Sequence, residues 1–188
     1  MESATQADAR PELEAFLASV EGRAFRMAQI ATGSREEALD IVQDAMLALV
    51  NKYVRQPESA WRALFYRILQ NRIRDWRRRR RVREHWRRWF GAGPNPQTAT
   101  EPLREEALPD GEALDPSERL VVGNAWAALQ KALHALPLRQ QQAFLLRAWE
   151  GLDVRATAAA MKCSAGSVKT HYHRALQTLR RELEDHWP

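Results

Sequence analysis

The 188-residue sequence predicts an all-α fold of two small helical domains joined by a flexible acidic linker. Three observations predict it. Before residue 91, apolar residues recur at helical spacing in a stretch poor in glycine and proline. From Gly91 to Pro116, five prolines interrupt any period. Beyond that the helical spacing returns and ends in a short helix, a tight turn and a longer helix, the pattern of a helix-turn-helix. An apolar content of 45% is that of a globular chain.

The first domain spans residues 11–90 and holds three helices. The first runs from about Pro11 to Thr32, with Leu13, Phe16, Leu17 and Val20 as its apolar stripe and Gly33 as terminator. Ser34 is placed to cap the second, which runs to about Tyr53 and puts Leu39, Val42, Met46 and Val50 on one side. On its far face Glu37, Asp40, Asp44 and Asn51 share one sector, with Ile41 at the margin. The third begins near Ser59, and Phe65, Ile68, Leu69 and Trp76 converge on one face. That makes Trp76 a core residue before a base-contacting aromatic.

Opposite this stripe, Arg67, Asn71, Arg74 and Arg78 form an exposed ridge that mixes guanidiniums with an amide able to contact a base. The ridge leads into a run of ten arginines between Arg72 and Arg88, relieved only by Asp75 and Glu84. Such self-repulsion destabilises a compact state and calls for an anionic partner, nucleic acid first. Most of these charges, from Arg77 onward, read as generic attraction for phosphate. The strip of Val82, Trp86, Trp89 and Phe90 within them fits packing on the first domain better than a bound inhibitor or a membrane surface.

Residues 91–118 form the linker, because a structureless run of this length inside one domain would be unusual. Its acids admit two readings, solubility and imitation of nucleic acid in a basic channel. The second domain spans residues 119–186. Trp126, Leu129, Leu133 and Leu136 mark a helix that stops before Pro137, and residues 139–150 form another, ended by Gly151. A short alanine-rich helix from Val154 to Met161, a turn at residues 162–164 and a helix from Ala165 to about Glu184, capped by Ser164, complete it. In the last helix Val168, Tyr172, Ala175, Leu179 and Leu183 point inward, leaving Lys169, Thr170, His173, Arg174 and Gln177 outward.

Several classes are disfavoured. The single cysteine, Cys163, excludes an internal disulfide and reads as a small buried hydrophobe at the turn. His171 and His173 lie two apart on a helix and point away from each other, so they do not make a metal site. Neither a signal peptide nor a membrane-spanning run is legible, which reads as a cytoplasmic protein without stable membrane insertion. No metal, cofactor or small-molecule substrate is expected.

Two blocks resemble a known family, the extracytoplasmic-function group of sigma-70 type RNA polymerase sigma factors. EEALDIVQDAMLALV resembles that family's polymerase-docking helix, and LFYRILQNRIRDWRRRRR its minus 10 promoter helix. ALPLRQQQAFLLRAWEGLDV followed by CSAGSVKTHYHRAL resembles the domain that binds the minus 35 element. The resemblance matches Asp40, Gln43 and Asp44 to the motif that docks on core RNA polymerase, and the acidic face of the second helix adds Glu37 and Ile41 to that expected docking surface. It matches Asn71 to a position associated with minus 10 recognition, where the ridge adds Arg67, Arg74 and Arg78, and it matches Lys169, Thr170, His173 and Arg174 to the exposed minus 35 positions, where Ser167 is also expected to make contact. The implied partners are core polymerase and promoter DNA; the apolar surface of so small a chain adds the expectation of an anti-sigma factor covering part of the strip at residues 82–90 or the apolar faces of both domains. Two departures stand out, Ala156 where the family usually has an acid and Lys162 where it often has glycine, which would put a non-glycine residue in a left-handed turn.

Two other readings compete. A stand-alone helix-turn-helix regulator would leave the acidic second helix unexplained. A metal-dependent nuclease or transposase would need Glu37, Asp40 and Asp44 to converge in a cleft, whereas they form a stripe along one helix.

Overall fold

The computed structural model describes residues 2–89 and 116–184, and among these all regular structure is helical. The elements are α1 (Glu2–Thr32), α2 (Arg35–Tyr53), α3 (Glu58–Trp89), α4 (Pro116–Ala135), α5 (Leu138–Phe144), α6 (Val154–Met161) and α7 (Ala165–Glu182). A wider π-type turn, Leu145–Trp149, extends α5. Residues 90–115, most of the expected linker, lie outside the described residues, and the remaining three of its residues open α4. Among the described residues no helix is long and apolar enough to cross a membrane.

Helices α1, α2 and α3 pack pairwise into one bundle. Helix α1 starts upstream of Pro11, the expected first residue, which therefore sits inside the helix without an N–H to donate. Gly33 ends α1 at φ 72°, a left-handed conformation cheap only for glycine, and returns its N–H to Gln29 O at 2.8 Å. Ser34 then caps α2, its hydroxyl accepting from Glu37 N. Phe16, Trp61, Phe65 and Tyr66 interlock in the core, with Phe65 and Tyr66 centroids 5.3 Å apart and edge to face. Trp76 is a core residue, as expected, at 7% exposure.

The buried face of α2 differs from the expected one. Ala38, Ile41, Val42, Ala45 and Leu49 are its buried residues, whereas Leu39 and Val50 face solvent. Two alanines let the neighbouring helices approach closely on that side, so the side chains flanking them become core. Ile41 is therefore not at the margin of an exposed acidic face; it is 6% exposed and packed inside.

Helices α4–α7 form the second bundle. Pro137 separates α4 from α5, and Gly151, at φ 65°, ends the π-type turn. Asp153 caps α6 by accepting from Ala156 N at 2.7 Å. Lys162 closes α6 at φ 52° and ψ 56°, the non-glycine left-handed residue expected there, and Arg139 donates to the adjacent Met161 carbonyl. Ser164 caps α7, accepting from Ser167 N at 3.1 Å. Val168, Ala175 and Leu179 are buried, and Tyr172 stacks on Phe144.

The two bundles pack directly on each other, α3 against α6 and α1 against α4. His134 Nδ1 lies 2.8 Å from Ile30 O across this seam. Arg77 reaches from α3 to Gln141 Oε1 at 3.5 Å.

Candidate nucleic-acid interface

The row expected to contact the minus 35 element is built by the helix-turn-helix. Because Lys162 and Ser164 fix the turn, α7 starts with its apolar stripe inward, and Lys169, Thr170, His173 and Arg174 are left exposed together. Thr170 returns its hydroxyl to Gly166 O at 3.1 Å, within its own helix. Ser167 differs from the other expected contacts. It is half-buried, with its N–H and hydroxyl both engaged by Ser164 Oγ, so it shapes the helix start. His171, on the helix flank, has its pKa lowered by burial and then by Arg139 and Arg174, which favours the neutral ring.

The ridge on α3 is less open. Arg67 lies over the Tyr53 ring at 6.0 Å, and Asn71 Oδ1 accepts from Arg74 Nη2. Arg74 has its pKa lowered by burial first and then by the like charge of Arg139, offset by Asp75. Arg78 projects into solvent with Asp75 3.4 Å away. Three of the four expected ridge residues are thus half-buried, and only Arg78 is fully presented.

The arginine run beyond it is partly structural, which corrects the expectation of generic phosphate attraction from Arg77 onward. Arg77 donates to Ala31 O at 3.1 and 3.3 Å, and Arg80 donates to Thr32 O at 3.2 Å. Both satisfy carbonyls at the end of α1 that have no partner within the helix, and both place positive charge at its negative pole. Burial, followed by Arg81 and Arg80, lowers the Arg77 pKa. Arg80 also pairs with Glu84 at 2.7 Å. Arg78, Arg79, Arg81 and Arg83 remain exposed.

The acidic helix divides in the same way. Trp76 Nε1 donates to Glu37 Oε2 at 2.5 Å, and Arg72 sits 3.5 Å from Asp44. Glu37 therefore serves the α2–α3 contact, and Asp44 is shared with α3. Asp40 and Gln43 stay exposed, flanked by Leu39 and Leu47 at 48% and 52% exposure. The carboxylates of Glu37, Asp40 and Asp44 do not converge on one point, and the described residues contain no group of three or more His, Cys, Asp or Glu able to hold a metal ion.

One cluster has no counterpart among the expected sites. Glu150, between the π-type turn and Gly151, has a fully buried side chain whose described partners all come from the other bundle. Tyr66 donates its hydroxyl to Glu150 Oε2, and Arg62 donates to the Glu150 backbone carbonyl. Arg62 Nη2 lies 3.7 Å from Oε2, and Arg23 Nε lies 3.5 Å from Oε1. Burial, then the bond to Glu150 and its charge, raise the Tyr66 pKa far above the ordinary tyrosine value. The sequence signal was faint: a phenol on the core-facing side of α3, which needs a polar partner when buried.

Comparison with known proteins agrees with this architecture. Residues 13–83 match the family model for sigma-70 region 2, and residues 126–179 match that for sigma-70 region 4. The chain is 30% identical over 177 residues to the RNA polymerase sigma-E factor of Streptomyces avermitilis, covering 92% of this chain and 86% of that protein. It is 32% identical over 80 residues to the ECF RNA polymerase sigma factor SigD of Mycobacterium bovis, covering 42% of this chain and 38% of that protein. The fold resembles that of the sigma factor RpoE of Bartonella quintana, solved with the anti-sigma factor NepR, at a TM-score of 0.67 and 21% identity, over 94% of this chain and 97% of that one. The chain belongs to the extracytoplasmic-function group of the sigma-70 family of RNA polymerase sigma factors.

Proposed function

We propose that this sigma factor docks on core RNA polymerase through the exposed side of α2, with Asp40 and Gln43 as polar contacts and Leu39 and Leu47 as apolar ones. It then reads the minus 35 element with Lys169, Thr170, His173 and Arg174 of α7. Arg67, Asn71, Arg74 and Arg78 engage the minus 10 element, where Asn71 and the loop between α2 and α3 hold unpaired bases as the duplex opens. The observation that carries this reading is the placement of two exposed or partly exposed polar rows, on α3 and α7, in separate halves of one chain. Docking on one polymerase makes the second DNA contact intramolecular, so two weak contacts combine into one selective one. The polymerase performs the chemistry, and the sigma factor acts in the cytoplasm without a cofactor.

Each part has a distinct physical task. Arginines bind phosphate regardless of sequence and set position, whereas the amide, hydroxyl and imidazole groups reach base edges. An anti-sigma factor covering the apolar side of α2 would compete directly with polymerase. The test is titration of core polymerase with labelled chain. Asp40→Ala weakens binding on the order of tenfold, about 1.4 kcal/mol, with folding unchanged. Unchanged binding by both Asp40→Ala and Leu47→Ala would remove α2 as the docking surface.

A further inference from the structure

The exposed large apolar side chains among the described residues fall into two groups. Leu39, Leu47 and Val50 lie on α2, the helix proposed above to dock. Val82, Trp86 and Trp89 lie at the end of α3 and are 51%, 56% and 77% exposed. This strip was expected to pack on the first domain, and the structure corrects that; Phe90, its last residue, lies outside the described residues. The reason is geometric. Ile73 and Trp76 set the buried side of α3, and Arg77 and Arg80 on that same side reach the end of α1. Spacings of four and three residues put Val82, Trp86 and Trp89 in one stripe, which the helical period turns away from the bundle. Helix α3 also continues nine residues past Arg80, roughly 13 Å of helix, beyond its contact with the last residue of α1. Charge borders the stripe on both sides. Arg79 and Arg83 flank it on one and Arg81 on the other, all exposed. Glu84, the one acid between Arg77 and Trp89, lies on the bundle side, where Arg80 pairs with it at 2.7 Å.

We infer that the last turns of α3 are a reversible anchor for an anionic membrane surface, with Val82, Trp86 and Trp89 entering the headgroup layer and Arg79, Arg81 and Arg83 binding lipid phosphates. This contact is separate from the promoter and polymerase contacts proposed above and does not depend on them. Its chemistry is that of a helix lying in a bilayer interface. Indoles favour the headgroup level, and arginine heads reach phosphate while their stems lie along apolar surface. Val82 decides between this partner and nucleic acid. A single strand would stack on the indoles and a duplex would take the arginines, but neither calls for an aliphatic side chain in line with both. Among the described residues no helix can cross a bilayer, so the contact is with its surface. Two helical turns bury too little apolar area to hold a protein alone, so the anchor needs acidic lipid to draw the arginines in.

The test uses the full chain, a variant carrying Trp86→Ala with Trp89→Ala, and a variant carrying Arg79→Gln, Arg81→Gln and Arg83→Gln. All five positions are exposed, and far-UV circular dichroism confirms that the helices are retained. Each chain is sedimented with vesicles of phosphatidylcholine alone and of phosphatidylcholine mixed with phosphatidylglycerol. Quenching of tryptophan fluorescence by brominated acyl chains reports insertion. We expect the parent to bind the mixed vesicles and to leave the neutral ones in solution. Both variants should bind the mixed vesicles about tenfold more weakly, and the tryptophan variant should lose most of the quenching. Equal binding by the parent and the tryptophan variant would mean that basic residues adsorb without insertion, and would overturn the anchor. So would failure of the parent to bind mixed vesicles at all. Anisotropy of a labelled single strand is read in parallel: a loss confined to that strand in the tryptophan variant, with vesicle binding unchanged, would assign the stripe to nucleic acid instead. No readout involves polymerase or a promoter, so failure of the sigma-factor roles would be seen separately.

Discussion

Trp76 donates its indole N–H to Glu37, 39 positions earlier in the chain, and so joins the start of α2 to the middle of α3. The bond reassigns Glu37. A carboxylate expected to face a partner instead satisfies a nearly buried indole and lies 3.9 Å from Arg83. Glu37→Ala should destabilise the chain by about 1–2 kcal/mol, because it leaves a buried donor unpaired. Asp40→Ala, on the exposed side of the same helix, should stay within about 0.5 kcal/mol of the parent. Urea denaturation of both variants checks the contrast; equal effects would return Glu37 to the surface.

Arg77 and Arg78 are neighbours with different tasks. Arg77→Ala removes two donors to Ala31 O and should lower stability by about 1–2 kcal/mol. Arg78→Ala should leave stability within about 0.5 kcal/mol. It should also reduce the slope of log affinity for promoter DNA against log salt by about 0.9, the signature of one lost phosphate contact. Thermal melts and salt titrations of both variants separate the two roles.

Lys162 holds φ 52° at the end of α6. A lysine there pays a steric cost that glycine avoids, so Lys162→Gly should stabilise the chain by about 0.5–1 kcal/mol, net of glycine's greater freedom when unfolded. Denaturant midpoints measure it. A loss of stability would show that the lysine side chain contributes something beyond its backbone geometry.

Tyr66 faces Glu150, Arg23 and Arg62, and its neutral form is favoured in the folded chain. With the folded pKa raised above the ordinary value of 10.0, its contribution is fully present below that pH and is lost as pH rises through and beyond it. The stability advantage of the parent chain over Tyr66→Phe should therefore be constant up to about pH 9.5 and shrink above about pH 10. Paired melts across this range test the sign; an advantage that grew with pH would refute it.

Much of the fold was legible because its signals are local. Ser34, Pro137 and Ser164 mark helix boundaries where the structure has them, and Val154–Met161 matches its expected bounds. The outward row of α7 followed from periodicity alone, since α7 has one strongly apolar side. Helix α2 was misread because apolar residues surround it, and only Ala38 and Ala45, small enough for close approach, show which side is buried. The arginines were misread for another reason. Nothing near Arg77 tells that the open carbonyls of a helix end 46 positions away will lie opposite it. Glu150 was invisible on the same grounds, its phenol partner standing 84 positions earlier.

The most direct measurement is transcription in vitro with purified core RNA polymerase on fragments of genomic DNA. Addition of this chain should produce discrete new transcripts, and Arg174→Ala should lower initiation at promoters that depend on their minus 35 element. Absence of any initiation by a folded chain would contradict its role as a promoter-directing sigma factor.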